Sequence, residues 1–149
     1  MSMYDKGNVV IGFTSQGYLM LDCDEKRENE VVKFSEEYAV FHNLGSSLVM
    51  KSSEDGQVDL SGDKLGHFFI IFGRALNNDA ILWHLREACR LGFTNKRFVE
   101  ANKFGNITLR LNAKNDKVLH PTVLHYFDNG EKAGVVTYLK DWVNLQKLG

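Results

Sequence analysis

The chain has 149 residues and nearly balanced charge, with 18 lysines and arginines against 19 aspartates and glutamates. Hydrophobic residues make up 44% and charged residues 25%, which is ordinary for a globular domain and excludes a disordered tail, a fibrous repeat and a histone-like polycation. Two cysteines form neither a zinc site nor a disulfide framework, and no apolar run approaches the ~20 residues of a membrane helix. We therefore expect a single domain over residues 1–149, in the cytoplasm and away from membranes.

The first third of the chain predicts three strands and a helix. Residues 8–14 and 17–23 are largely apolar and flank Ser15-Gln16, which predicts a hairpin. Apolar residues spaced three or four apart predict a helix near residues 30–43. Residues 47–51 follow as a further strand.

The rest of the chain begins with a long polar segment, 52–66, which is typical of a functional loop. The predicted elements after it are a strand at 67–72, a helix at 79–91, a short helix at 95–104, strands at 107–111, 123–127 and 134–138, and a last helix. This order favours an α+β fold, a largely antiparallel sheet with helices packed on one face. We expect residues 17–23, 48–51, 67–72 and 107–111 to be its central strands.

The sharpest chemical feature is Leu-Asp-Cys-Asp at the end of an apolar strand. Period-two geometry puts Asp22 and Asp24 on one face, roughly 6.5 Å apart along the strand. Two such carboxylates repel each other unless a cation lies between them, and Mg²⁺ or Mn²⁺ takes one or two carboxylates together with phosphates and water. The alternative is that Asp24 caps the next helix and Asp22 lies on the surface.

Two further features could contact phosphate. Ser53 and His67 flank the polar segment, and Arg110 and Lys114 lie in the stretch 86–117, which holds eight basic and three acidic side chains. A guanidinium on a strand suits bidentate phosphate contact. The alternatives are a histidine at a strand edge and an arginine paired with a carboxylate across an exposed strand.

Taken in order, these motifs resemble the catalytic core of the archaeo-eukaryotic primase and primase–polymerase superfamily. LMLDCD (19–24) is similar to its metal-binding motif, SSEDGQVDLSGDKLGHFFIIF (52–72) to its phosphate-contacting motif with a longer insertion, and FVEANKFGNITLRLNAK (98–114) to a later basic strand. The resemblance implies a primase-core, RRM-like sheet in which Asp22 and Asp24 hold Mg²⁺ or Mn²⁺. It also implies that His67 and Ser53 bind nucleotide phosphates and that Arg110 and Lys114 neutralise the triphosphate or template.

The superfamily's third acidic ligand has its nearest counterpart in Asp128, which reads equally well as a turn residue in Asp-Asn-Gly. Three functions follow from these features. The first is a metal-dependent nucleotidyltransferase of DNA replication that acts on a nucleoside triphosphate and nucleic acid. The second is a non-catalytic domain that binds nucleotides or nucleic acid. The third is an accessory domain that binds another protein.

Overall fold

The structure is a computed structural model that describes residues 12–14, 17–51, 65–102, 108–110, 122–130 and 134–146, with the backbone alone described at 12–14 and 108–110. Its elements in chain order are β1 (Gly12–Thr14), β2 (Tyr18–Arg27), α1 (Glu28–Phe41), β3 (Ser47–Lys51), β4 (Leu65–Ala75), α2 (Asn78–Arg90), α3 (Lys96–Ala101), β5 (Thr108–Arg110), β6 (Thr122–Phe127) and α4 (Val135–Gln146). The predicted α+β class is therefore confirmed.

Four strands form one antiparallel sheet in the order β2-β4-β3-β6. Because β2 and β3 both run antiparallel to β4 between them, they are parallel to each other. The helix α1 connects them, so β2, α1 and β3 form a split β-α-β unit with β4 inserted. β2 lies at one edge of this sheet and β6 at the other, so the expectation that residues 17–23 form a central strand is wrong.

The strands β1 and β5 pair with each other in a separate two-stranded sheet, with Gly12 opposite Arg110. The expected hairpin between residues 8–14 and 17–23 is therefore wrong, and so is the placement of 107–111 among the central strands. Alternating apolar residues indicate a half-buried strand, but they do not indicate which distant strand pairs with it.

β2 continues past the two aspartates instead of ending there. Cys23 pairs with Phe68, whereas Lys26 pairs with Gly66, so β2 carries one extra residue between these pairs. Glu25 lies in this interval with a φ of 55°, the geometry of a β-bulge. The expectation that Asp22 and Asp24 end their strand is thus corrected: they lie inside it, just before a bulge.

The helices α1 and α2 pack side by side on one face of the sheet, as predicted for residues 30–43 and 79–91. α2 begins after Asn77, whose side chain accepts a hydrogen bond from the amide of Ala80 at 2.8 Å, and it is followed by Gly92 with a φ of 85°. Tyr38 of α1 and His84 of α2 share a buried hydrogen bond of 2.7 Å.

α4 lies on the opposite face. His125 and Tyr126 are neighbours in β6 and point to opposite sides of the sheet. His125 pairs with Glu36 of α1 at 2.7 Å, and Tyr126 hydrogen-bonds Thr137 of α4 at 3.1 Å. The one-face arrangement therefore holds for α1 and α2, and α4 is the element that departs from it.

The predicted strand at 134–138 is wrong, because these residues open the helix α4. The β-branched run Val135-Val136-Thr137 favours a strand locally. The buried side chains are Val136, Leu139 and Val143, however, spaced three and four apart as in a helix that buries one stripe. Packing of that stripe on the sheet outweighs the local preference.

The sheet is buried on both faces over most of its area. Leu19 and Leu21 face α1 and α2, whereas Met20 and Ile71 face the side that carries α4, and all four are at most 1% exposed. Within the described residues, no helix has both the length and the apolar composition needed to cross a membrane.

Truncations in α4 distinguish the helix from the predicted strand. Val136 is fully buried and Tyr138 is 71% exposed, whereas in a strand the two would share a face. We expect Val136→Ala to lower the free energy of unfolding by about 1–3 kcal/mol and Tyr138→Ala to change it by less than about 0.5 kcal/mol. Denaturant titration of both variants measures this, and equal losses would contradict the helix.

The burial of His84 makes stability depend on pH. Burial, reinforced by the neighbouring His42, lowers the pKa of His84 from 6.5 to about 4. The unfolded chain thus takes up a proton that the folded chain refuses, and stability present above pH 6.5 is lost as pH falls toward 4. We expect wild type to lose roughly 1–2 kcal/mol more than His84→Gln between about pH 7 and about pH 4.5. Parallel pH profiles of unfolding for the two proteins would contradict this.

Candidate functional site

The structure places Asp22 and Asp24 on the same face of β2, on either side of the fully buried Cys23. Asp22 is half-buried and Asp24 is exposed. This is the face that carries Met20 and, farther from β2, α4. The carboxylates lie at the edge of the sheet, where solvent and ligands can reach them.

His67 joins this pair through the register of the sheet. Asp22 lies opposite Phe69 and Cys23 opposite Phe68, so the next position on β4 brings His67 beside Asp24. The His67 Nδ1 lies 2.8 Å from Asp24 Oδ1, and both side chains are partly exposed. The imidazole of His67 therefore contacts one oxygen of Asp24 through Nδ1. Its second nitrogen, Nε2, is not part of this contact.

Gly66, which precedes His67, has a packing role. A Cβ added at Gly66 would lie 2.7 Å from Cζ of Phe68 on the same face of β4, closer than side-chain atoms approach. The ring of Phe68 thus occupies the space that a larger residue would need. The Gly-His pair of the sequence motif is explained in part by this contact.

The segment after α2 is attached to the free edge of β2. The Cys23 thiol donates a hydrogen bond to the carbonyl of Phe93 at 2.7 Å, and the Thr94 hydroxyl donates to the carbonyl of Asp22 at 3.0 Å. Asn95 caps α3 by accepting from the amide of Phe98 at 2.8 Å, and its Nδ2 lies 3.5 Å from Asp24 Oδ2. These bonds bring α3 against the two aspartates.

A cavity of about 640 Å³ results between β2 and α3. It is lined by Asp22, Asp24, Asn95, Lys96, Arg97, Phe98 and Ala101. Two carboxylates thus share one cavity with two cations, which is the charge pattern of a site for a phosphate chain and a divalent ion.

Sequence reasoning missed Asn95, Lys96 and Arg97 as site residues. Lys96 and Arg97 belong to the basic stretch 86–117, and Thr94-Asn95 is a cap signal for a short helix. That signal predicts the helix, but its position beside Asp22 and Asp24 depends on tertiary contacts, among them the hydrogen bonds from Cys23 and Thr94.

Burial and the flanking carboxylates raise the pKa of the Cys23 thiol well above its ordinary value. Burial is the larger cause, followed by the negative charges of Asp22 and Asp24. Cys23 therefore remains a neutral thiol at physiological pH. Its chemical role is to donate a hydrogen bond, and the two aspartates alone supply charge on this stretch of β2.

The structure does not bring Asp128 to this site. Asp128 follows β6 at the opposite edge of the sheet and at its opposite end, on the order of 20 Å from Asp24 by strand spacing and rise. Its Oδ1 accepts a hydrogen bond from the amide of Gly130 at 3.0 Å, and Gly130 has a φ of 89°. The turn interpretation of Asp-Asn-Gly is the one that fits.

The remaining predicted site residues are only partly placed. The backbone of Arg110 lies in β5, opposite Gly12, and its side chain is not among those described. Ser53 and Lys114 lie outside the described residues, as does the polar segment from 52 to 64. Their phosphate-binding roles stay predictions.

The described residues contain no group of three or more His, Cys, Asp and Glu side chains arranged to hold a metal ion. The donors that the structure does bring together are the oxygens of Asp22 and Asp24, hard ligands suited to Mg²⁺ or Mn²⁺ as a half-site completed by water and phosphate. Comparison of the chain with family models, curated proteins and solved structures gives no match.

Substitutions of core residues and of site residues in β2 should lower the free energy of unfolding by different amounts. The exposed Asp24–His67 pair contributes about 0.2–1 kcal/mol, so we expect Asp24→Asn to lower the free energy of unfolding by no more than about 1 kcal/mol. Leu21→Ala, which opens a cavity at a fully buried position of the same strand, should cost about 2–5 kcal/mol. Denaturant titration compares the two, and similar costs would contradict this separation.

Proposed function

We propose that this chain binds a nucleoside triphosphate together with Mg²⁺ or Mn²⁺ and transfers its nucleotidyl group to a hydroxyl of nucleic acid. A phosphodiester bond would form at the α-phosphate as the α–β phosphoanhydride bond breaks and pyrophosphate leaves. The observation that carries the proposal is the cavity in which Asp22 and Asp24 share walls with Lys96 and Arg97. The motif resemblance to primase–polymerases supplies the reaction type, and the geometry supplies the residues.

The metal would be held by Asp22 and Asp24. Mg²⁺ keeps several waters and uses only one or two protein carboxylates when substrate phosphates complete its shell. The hydrogen bonds of Asp24 to His67 and Asn95 orient its carboxylate before a ligand arrives. Bound there, the metal would supply charge neutralisation at the reacting phosphate.

The phosphate chain would be held by cations. Lys96 and Arg97 follow the Asn95 cap, so α3 fixes their backbone positions beside the cavity. An arginine suits bidentate phosphate contact, and a lysine adds a mobile point charge. His67 Nε2 is a further phosphate contact in this proposal, because Nδ1 is engaged with Asp24.

Nucleic acid would reach the site along a basic surface. A neighbouring cavity of about 470 Å³ shares Lys96 with the first and is also lined by Arg86, Arg90, Cys89, Val99 and Glu100. Arg86 and Lys96 outnumber the one carboxylate of this cavity, Glu100, whereas Arg90 is already paired with Glu87. This excess of positive charge is what backbone phosphates require. Arg110 and Lys114 would extend this surface if they lie beside it, and Ser53 would contact the nucleotide.

A second candidate is nucleotide or nucleic-acid binding without transfer. It is favoured by the position of Asp128, which leaves Asp22 and Asp24 as the carboxylates that line the cavity between β2 and α3. Such a domain would bind the same ligands by the same cations. The two candidates differ only in whether a new phosphodiester bond forms.

Calorimetric titration tests the site. We expect Mn²⁺ alone to bind weakly, and a non-hydrolysable nucleoside triphosphate to bind at least roughly tenfold more tightly with Mn²⁺ than with a chelator. Asp22→Asn/Asp24→Asn should lose the metal dependence. Lys96→Ala/Arg97→Ala should keep Mn²⁺ binding and lose nucleotide affinity, because the cations act on phosphate.

The matched control is Asp141→Asn, which removes an exposed carboxylate on α4 and should behave as wild type. Equal heats from wild type and Asp22→Asn/Asp24→Asn would refute the metal site. If wild type extends a labelled oligonucleotide and Asp22→Asn does not, nucleotidyl transfer is established. Salt-dependent oligonucleotide binding without extension would establish the second candidate instead.

A further inference from the structure

A third cavity, of about 620 Å³, opens on the outer side of α1 and α2. Its lining residues are Phe34, Glu37, Tyr38, Phe41, His42, Trp83, Glu87, Arg90, Leu91 and Phe93. It shares none of these residues with the cavity at Asp22 and Asp24. Its size and its aromatic walls are those of a small-molecule site.

The aromatic rings are arranged around His42. The centroid of its ring lies 4.8 Å from that of Phe41 and 5.7 Å from that of Trp83, and the ring planes meet at 75° and 65°. These edge-to-face contacts pack the three rings directly against one another, so together they form one aromatic wall of the cavity. Phe41 is 83% and Trp83 is 53% exposed, so two large apolar surfaces stand open at its mouth.

The charge of the cavity favours a cation. Glu37 and Glu87 contribute two carboxylates, and Arg90 is the one guanidinium among the lining residues. Arg90 donates hydrogen bonds from Nε and a terminal nitrogen to the two carboxylate oxygens of Glu87, so its charge is already matched. Glu37 pairs with the exposed Lys33 at 3.9 Å, which is a weak contact.

The histidines add no positive charge. Burial lowers the pKa of His42, and burial together with His42 lowers that of His84 to about 4. Both imidazoles are therefore neutral at physiological pH. The aromatic rings and the carboxylate of Glu37 are then the groups lining the cavity that attract a cation.

We propose that this cavity binds a small organic cation, an ammonium ion with apolar substituents. The aromatic rings would contact the substituents and face the positive charge, the arrangement by which proteins bind quaternary ammonium groups. An anionic ligand would have to displace Glu87 from Arg90. This site shares no residue with the cavity at Asp22 and Asp24, although Arg90 also lines the neighbouring cavity of the proposed nucleic-acid surface. Its occupant is a different class of ligand.

Choline is the probe, and 3,3-dimethylbutan-1-ol, in which carbon replaces the charged nitrogen, is the neutral control. Binding is followed by the shift of the probe's methyl proton resonance, which ring currents move upfield. We expect choline to bind and the neutral isostere to bind at least roughly threefold more weakly. Equal binding of the two, or no saturable binding of choline, would overturn the proposal.

Three variants test where choline binds and whether the charges of the cavity favour its binding. Trp83→Leu, which keeps an apolar side chain and removes the indole ring, should weaken choline binding roughly three- to thirty-fold. Arg90→Gln, which removes the opposing charge, should tighten it. Tyr138→Leu, an exposed aromatic on α4, is the matched control and should leave it unchanged.

Circular dichroism establishes the fold of each variant, and Arg90→Gln decides the sign of the electrostatic effect even if Trp83→Leu fails to fold. Weaker binding in Arg90→Gln, or unchanged binding in a folded Trp83→Leu, would overturn the proposal. Choline binding to Asp22→Asn/Asp24→Asn should equal that of wild type, so failure at either site is distinguishable from failure at the other.

Discussion

The attachment of residues 93–95 to the free edge of β2 is the constraint on which the candidate site depends. The Cys23 thiol and the Thr94 hydroxyl each hold this segment to β2 with one hydrogen bond. Phe93 is further fixed by stacking on Phe34 of α1, with ring centroids 3.9 Å apart. Without these contacts, the cations of α3 would have no reason to lie beside the aspartates.

Residues that stabilise the core alternate along β2 with residues of the candidate site. Leu19, Leu21 and Cys23 are buried under the helices, whereas Asp22 and Asp24 point to the other face at the sheet edge. The pairing of Cys23 with Phe68 puts His67 beside Asp24, and the bulge at Glu25 shifts the register only beyond Cys23, so β2 continues to pair with β4. Substitutions of the aspartates can therefore change binding while leaving the core intact.

Features that depend on residues close in the chain, such as strand bounds and strand faces, were predicted from the sequence. Features that depend on residues far away in sequence, such as strand pairing and burial, were not. Period two put Asp22 and Asp24 on one face, and the strand at 47–51 has the predicted bounds. The pairing of Gly12–Thr14 with β5 and the burial of Val136 depend on surfaces far away in sequence. Lys96 and Arg97 lie about 70 positions after the aspartates and reach them only through side-chain bonds to backbone.

The charges in the cavity between β2 and α3 would make the two ligands proposed for it depend on each other. A triphosphate alone would be repelled by Asp22 and Asp24, and a divalent metal alone would be repelled by Lys96 and Arg97. Each ligand would cancel the charge that opposes the other, so binding of either would raise the affinity for the other by the same factor. Two carboxylates and two cations in one cavity would therefore favour the metal–triphosphate pair over either component, and the proposed coupling needs no third carboxylate.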